Sequence, residues 1–148
     1  MLLSRDWREF LLALNSHGVE YVLVGGLAMG LHAQPRFTGD MDILVRPEPE
    51  NAERVVQALA TFGLGSLGVT PADILQEGTW LQFGVRPYRI DLLNSLTGVE
   101  TEQVWKQRVA AVLDGVPIAV IDKESLLRNK LAAGRPKDLA DAAHLRGS

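Results

Sequence analysis

A chain of 148 residues, 47% hydrophobic and 22% charged, has the length and composition of one globular domain able to bury about two-thirds of its unfolded surface. Its net charge of −3 gives no global electrostatic footprint for nucleic acid, and the absence of cysteine excludes disulfides and thiolate metal sites. No apolar run approaches the roughly 20 residues of a membrane span, and the start MLLSRDWREF lacks the apolar core of a secretion signal, so the expectation is a cytoplasmic protein with no membrane partner.

Taken in order, residues 4–17 predict an amphipathic helix. Trp7, Phe10, Leu11 and Leu14 recur at helical spacing, and Gly18 sits where a glycine cap belongs. A strand over 19–24 leads to a Gly25-Gly26 turn and a short helix over 27–32, broken by Pro35; a second strand covers about 40–45. Pro47 and Pro49 open a helix that buries Ala52, Val55, Val56 and Leu59 and stops at Gly63. Residues 63–71 are Gly-rich and irregular, followed by a helical turn at 71–76. Strands over 79–85 and 88–94 form a hairpin through Arg86-Pro87, and a short helix spans 101–108. Strands over 110–113 and 116–121 turn at Asp114-Gly115. A helix over 123–133 lies between caps Asp122 and Gly134, and a last helix starts at Pro136. Helices alternating with strands, then hairpins, give an α/β (or α+β) fold with a mixed sheet covered by helices.

The chemistry concentrates in VLVGGLAMGLHAQPRFTGDMDILV. Asp40 and Asp42 stand two apart in a strand and so share a face. A Gly-rich turn at a helix N-terminus suits phosphate, and paired carboxylates suit Mg²⁺ together with substrate phosphates. The combination predicts a nucleoside triphosphate and one or two metal ions. Nucleotidyl transfer commonly uses two cations, and a third carboxylate then serves the attacking side. Asp91 interrupts the apolar run of RIDLL and fits that part; its other reading is an ion pair with Arg89, which alternation places on the same face. His32, Trp80 and Trp105 are expected as packing residues, although either indole could stack a base. The basic run Lys123, Arg128, Lys130, Arg135 and Lys137 has two readings, a polyphosphate or RNA site and a solvated helix face.

GGLAMGLHAQPRFTGDMDILV, then RIDLL, then KLAAGRPKDLADAAHL resembles the nucleotidyltransferase fold of the polymerase-beta type, and within it the small bacterial branch related to AbiEii-type toxin proteins. The resemblance implies that Gly25 and Gly26 offer backbone amides to the triphosphate and that Asp40, Asp42 and Asp91 hold Mg²⁺, with Asp91 acting on the acceptor hydroxyl. It places Arg36 and Thr38 in an Arg-x-Thr element near phosphate, Lys130 as a cation beside it, and Lys137, Asp138 and Asp141 in a Lys-Asp-x-x-Asp element. Asp138 and Asp141 also read as first-turn acids favoured by the helix dipole.

Two departures matter. Many members have Ser where Gly26 stands, leaving only backbone contacts here, and the chain lacks the helical domain that larger members use to hold the acceptor, so that either a partner subunit or second copy holds it, or binding is weak, or the activity has been lost. The implied activity is transfer of a nucleoside monophosphate to a hydroxyl of RNA (a tRNA 3′ end) or protein, in a toxin–antitoxin or phage-defence setting. The alternatives are an aminoglycoside-type adenylyltransferase and a non-catalytic nucleotide- or partner-binding module.

Overall fold

The structure, a computed structural model, describes residues 2–147. Its strands are β1 (Tyr21–Val24), β2 (Asp40–Val45), β3 (Trp80–Phe83), β4 (Arg89–Leu93), β5 (Val109–Leu113) and β6 (Val116–Val120). The helices are α1 (Arg5–Ser16), α2 (Gly25–His32), α3 (Pro49–Phe62), α4 (Pro71–Leu75), α5 (Thr101–Lys106), α6 (Lys123–Ala133) and α7 (Pro136–Arg146). The strands form one mixed sheet in the order β3-β4-β2-β1-β6-β5. β1 runs antiparallel to β2 and parallel to β6, and β2 runs parallel to β4. The two expected hairpins are β3-β4 and β5-β6, at opposite edges. No helix among the described residues is long and apolar enough to cross a membrane.

Local chemistry accounts for most element ends. The Ser4 hydroxyl accepts from the Trp7 N–H to cap α1, and an Asp122 carboxylate oxygen accepts from the Ser125 N–H to cap α6. Gly63 and Gly134 end α3 and α6 with left-handed backbone, as glycine allows. Strand β1 begins at Tyr21, later than its apolar run suggested, because the Val19 N–H turns back to the Leu14 carbonyl and closes α1.

Alternation along β2 and β4 divides the sheet chemically. Met41, Ile43, Ile90 and Leu92 are buried on one face, at 3% exposure or less. The other face at these positions carries Asp40, Asp42, Arg89 and Asp91. Apolar burial on the first face anchors the strands that present charges on the second. Phe10 of α1 meets Phe62 of α3 edge-to-face, and α6 packs on α7, which also touches α2.

Asn51, fully buried on α3, ties that helix to the sheet connections. Its Oδ1 accepts from the Glu20 N–H (2.7 Å) and its Nδ2 donates to the Glu20 and Arg46 carbonyls (2.9 Å each). Asn51→Ala strips partners from buried backbone groups and should cost on the order of 2–4 kcal/mol, seen as a lower urea midpoint with an unchanged m-value.

Candidate active site

The register of two parallel strands builds the centre of the site. Asp42 on β2 lies opposite Asp91 on β4, and Asp40 lies opposite Arg89, so all four side chains share one face. One oxygen from each of Asp40, Asp42 and Asp91 lies within 4.8 Å of the other two. Both sequence readings of Asp91 therefore hold together: it joins the acidic cluster, and it is paired with Arg89. It is 2% exposed and is held from three sides. Arg89 donates through Nε at 2.9 Å, while Trp80 Nε1 and Gln82 Nε2 donate at 3.3 and 3.4 Å. A donor set made of carboxylates alone, without histidine or thiolate, fits a hard cation such as Mg²⁺.

Helix α2 points its N-terminus at this cluster. The structure starts α2 at Gly25, inside the glycine pair, rather than at residue 27 as the pattern suggested. Its first-turn N–H groups have no intrahelical partner and its cap residue, Val24, supplies no side-chain acceptor. Gly25 has φ +68°, and a Cβ there would overlap the Asp42 carboxylate. A Cβ on Gly26 would lie 2.8 Å from the Thr38 hydroxyl oxygen. The glycines are thus required first by the close approach of Asp42 and Thr38, and the same bareness leaves backbone amides facing the cluster. The Thr38 hydroxyl in turn donates to the Asp40 carbonyl at 3.0 Å, fixing the entry into β2.

The other wall comes from α6 and α7. The glycine pair, Arg36, Thr38, the three aspartates, Lys130, Lys137, Asp138 and Asp141 line one cleft of about 740 Å³ together with Arg135, whereas Lys123 and Arg128 of the basic run do not. Lys130, for which the resemblance implies a cation near phosphate, lines the cleft in a paired state. Its ammonium is buried 3.0 Å from Asp141 and 3.7 Å from Asp138. Arg36 grips Asp141 with both terminal nitrogens (2.6 and 3.1 Å), and Arg135 grips Asp138 (2.6 and 3.3 Å). The two buried aspartates therefore hold three cations at the cleft wall, and Asp138 also stands in the first turn of α7. Lys137 is exposed and, among the described residues, carries no ion pair.

These charges set the acidities. The Arg135 hydrogen bond, against the cost of burial, holds the Asp138 carboxyl below its ordinary value. Burial raises Asp141, but its bonds to Arg36 and Lys130 outweigh that and leave it lowered. Asp42 goes the other way. Burial, then the charges of Asp40 and Asp91, push it up to about 7 against the opposing pull of Arg89.

One residue departs from the core packing expected of it, and two that touch the cluster were missed. Trp80, expected to pack, is 60% exposed on an edge strand and lines the cleft. Arg86, which the pattern did not single out, donates to Asp40 at 3.0 Å from the turn between β3 and β4. Gln82 was missed too, although alternation from Trp80 places it on the face of Asp91. His32 and Trp105 behave as expected: the first bonds to the Ile121 carbonyl, and the second packs against the core under Arg108.

Because Asp42 binds its proton more tightly folded than unfolded, its contribution to stability is lost as pH rises from about 4 through about 7. Asp42→Asn should therefore stabilise the metal-free protein at pH 8 by about 1–2 kcal/mol, a Tm rise of a few degrees, and by much less at pH 5. Thermal melts of both proteins at the two pH values, in chelator, measure this.

Over residues 3–145 the chain matches the family described as nucleotidyltransferase of unknown function (DUF6036). No curated protein sequence matches it. Among solved structures, it resembles an antigenic nucleotidyltransferase-like protein from Paracoccidioides brasiliensis with a TM-score of 0.56 at 20% identity, over 95% of this chain and 74% of the other. It also resembles ANT(2")-Ia, solved in complex with adenylyl-2"-tobramycin, with a TM-score of 0.61 at 13% identity, over 95% of this chain and 86% of that one. At these identities the two structures establish the nucleotidyltransferase-like fold.

Proposed function

The chain belongs to this nucleotidyltransferase family, and from that premise we propose that it transfers a nucleoside monophosphate from a Mg²⁺-bound NTP to a hydroxyl acceptor. The observation that carries the proposal is the convergence of Asp40, Asp42 and Asp91 opposite the N-terminus of α2. An inactive copy gains nothing from three clustered carboxylates, one of them forced up to about 7, and this counts against a binding module without turnover.

In this reading Asp40 and Asp42 hold the nucleotide's cation, and Asp91 serves the acceptor side. Bound Mg²⁺ would neutralise phosphate charge and acidify the attacking hydroxyl. The Gly25 and Gly26 amides, with Thr38, take the triphosphate, while Lys137, Arg36 and Arg135 present positive charge along its path. The acceptor oxygen bonds to the α-phosphorus and its proton passes toward Asp91. The bond from the α-phosphorus to the bridging oxygen breaks, and pyrophosphate leaves.

RNA is the acceptor the cleft supports best. Trp80 and Phe37, 60% and 84% exposed, both line it, and exposed aromatics beside arginines are the usual means of holding an unpaired base. Against an aminoglycoside, a polycation, stands the exposed Lys137, which lines the cleft with no ion pair among the described residues, whereas Arg36, Arg86 and Arg135 are each matched by an aspartate. The acidic helix positions Glu48, Glu50 and Glu53 lie outside the cleft. The motif resemblance to AbiEii-type proteins carries the toxin–antitoxin or phage-defence part of the proposal, with a partner subunit or second copy completing the acceptor site.

The test uses α-labelled NTPs, Mg²⁺ and short single-stranded RNAs or bulk tRNA. Asp91→Asn should keep its affinity for a non-hydrolysable Mg-NTP within about threefold and lose at least about 100-fold in transfer, because acceptor activation exists only in the transition state. Asp42→Asn should impair both. Label appearing on protein or aminoglycoside instead of RNA would replace the acceptor and keep the reaction; no Mg²⁺-dependent transfer to any of the three would end the enzymatic reading.

A further inference from the structure

The three carboxylates are not equally available. Asp40 pairs on its strand with Arg89, whose guanidinium therefore lies among the acids. Arg89 Nε donates to Asp91 Oδ1 at 2.9 Å, and its Nη2 is shared between Asp91 Oδ2 and Asp40 Oδ2 at 3.3 Å each. Arg86 Nε takes the remaining Asp40 oxygen at 3.0 Å. Among the described residues no guanidinium bonds to Asp42. One carboxylate is open to a cation, and the other two are already engaged by arginine.

A guanidinium cannot lose its proton in this pH range, so it can vacate a carboxylate only by moving. Two positive centres bound to the same carboxylate oxygens repel strongly at such distances. A divalent cation ligated by Asp91 must therefore displace the Arg89 fork, whereas a cation held by Asp42 and Asp40 displaces only the single contacts that Arg89 and Arg86 make to Asp40. Trp80 Nε1 and Gln82 Nε2, on Asp91 Oδ2 at 3.3 and 3.4 Å, are neutral donors that can keep the carboxylate aimed during the exchange.

We propose that Arg89 is a positioning residue that keeps the place of the acceptor-side cation: it holds Asp40 and Asp91 together in the metal-free protein and is exchanged for a divalent cation, so that cations load in two unequal steps, at Asp42 first and at Asp91 second and more weakly. This rests on the reading of the carboxylates as a metal site and deepens it. The acceptor side of the site is then closed at low cation concentration even when nucleotide is bound.

Mn²⁺ bound to the protein in the presence of a non-hydrolysable NTP analogue is counted from the electron paramagnetic resonance signal of free Mn²⁺. The parent should show a tight and a weak class. In Arg89→Gln the weak class should tighten by about tenfold while the tight class stays within about twofold. A residue that merely supports the fold would loosen both classes or neither. Arg89→Lys keeps the charge without the fork and should tighten the weak class by an intermediate amount; it carries the test if the glutamine variant does not fold. The second step should also change Trp80 emission on Mg²⁺ titration, a change absent in Trp80→Phe. A single class in the parent, or two classes unmoved by either Arg89 variant, overturns the Arg89 proposal and leaves the metal site standing. No Mn²⁺ binding by the parent overturns both.

Discussion

Three carboxylates brought within 4.8 Å on one face of a sheet repel one another, and that repulsion shapes the rest of the molecule. It is imposed by the β2–β4 register, which sets Asp42 beside Asp91, and a slip by one residue would send one strand's charges into the core. The register is held by what lies on the other side: Met41, Ile43, Ile90 and Leu92 fill the interior, and burial of each such side chain contributes roughly 1.5–3 kcal/mol. Apolar packing thus maintains a charge arrangement that would not form by itself. Arg89 and Arg86 offset part of the repulsion from within the cleft.

The opposite wall solves a different problem with the same residue types. Asp138 and Asp141 are buried, but each is matched by cations, and the set Arg36, Lys130, Arg135 and their two aspartates is a closed network. Buried pairs of this kind contribute little net stability, since desolvation offsets attraction. What they contribute is position. Arg36 belongs to the segment carrying Thr38, so its grip on Asp141 of α7 holds that segment against Gly26 and the start of α2. The phosphate-facing turn and the C-terminal helices are thereby fixed relative to each other.

The elements legible in the sequence were those governed by local rules. The cap at Asp122, glycine stops at Gly63 and Gly134, and alternation in β2 and β4 depend on neighbours in the chain. Alternation put Arg89 on the face of Asp91, whereas the place of Asp91 beside Asp42 came from the need for a third carboxylate and the motif resemblance. What was not legible depended on sheet order and distant contacts. Trp80 is exposed because β3 is an edge strand, and nothing in its own hydropathy says so. The pairing of Lys130 with Asp138 and Asp141 of the next helix is a contact that its place in a basic run does not reveal. Arg86 sits in a turn, where no periodicity assigns a face.

The central claim is that the carboxylate cluster and the α2 N-terminus together bind a metal–nucleotide complex. Crystals grown with Mn²⁺ and a non-hydrolysable NTP, measured at the manganese absorption edge, test it most directly. The account predicts an anomalous peak coordinated by Asp42 and Asp40, about 2–2.3 Å from their oxygens, with phosphates against the Gly25 and Gly26 amides. A nucleotide bound elsewhere, or manganese absent from Asp42 while the phosphates are ordered, would contradict it.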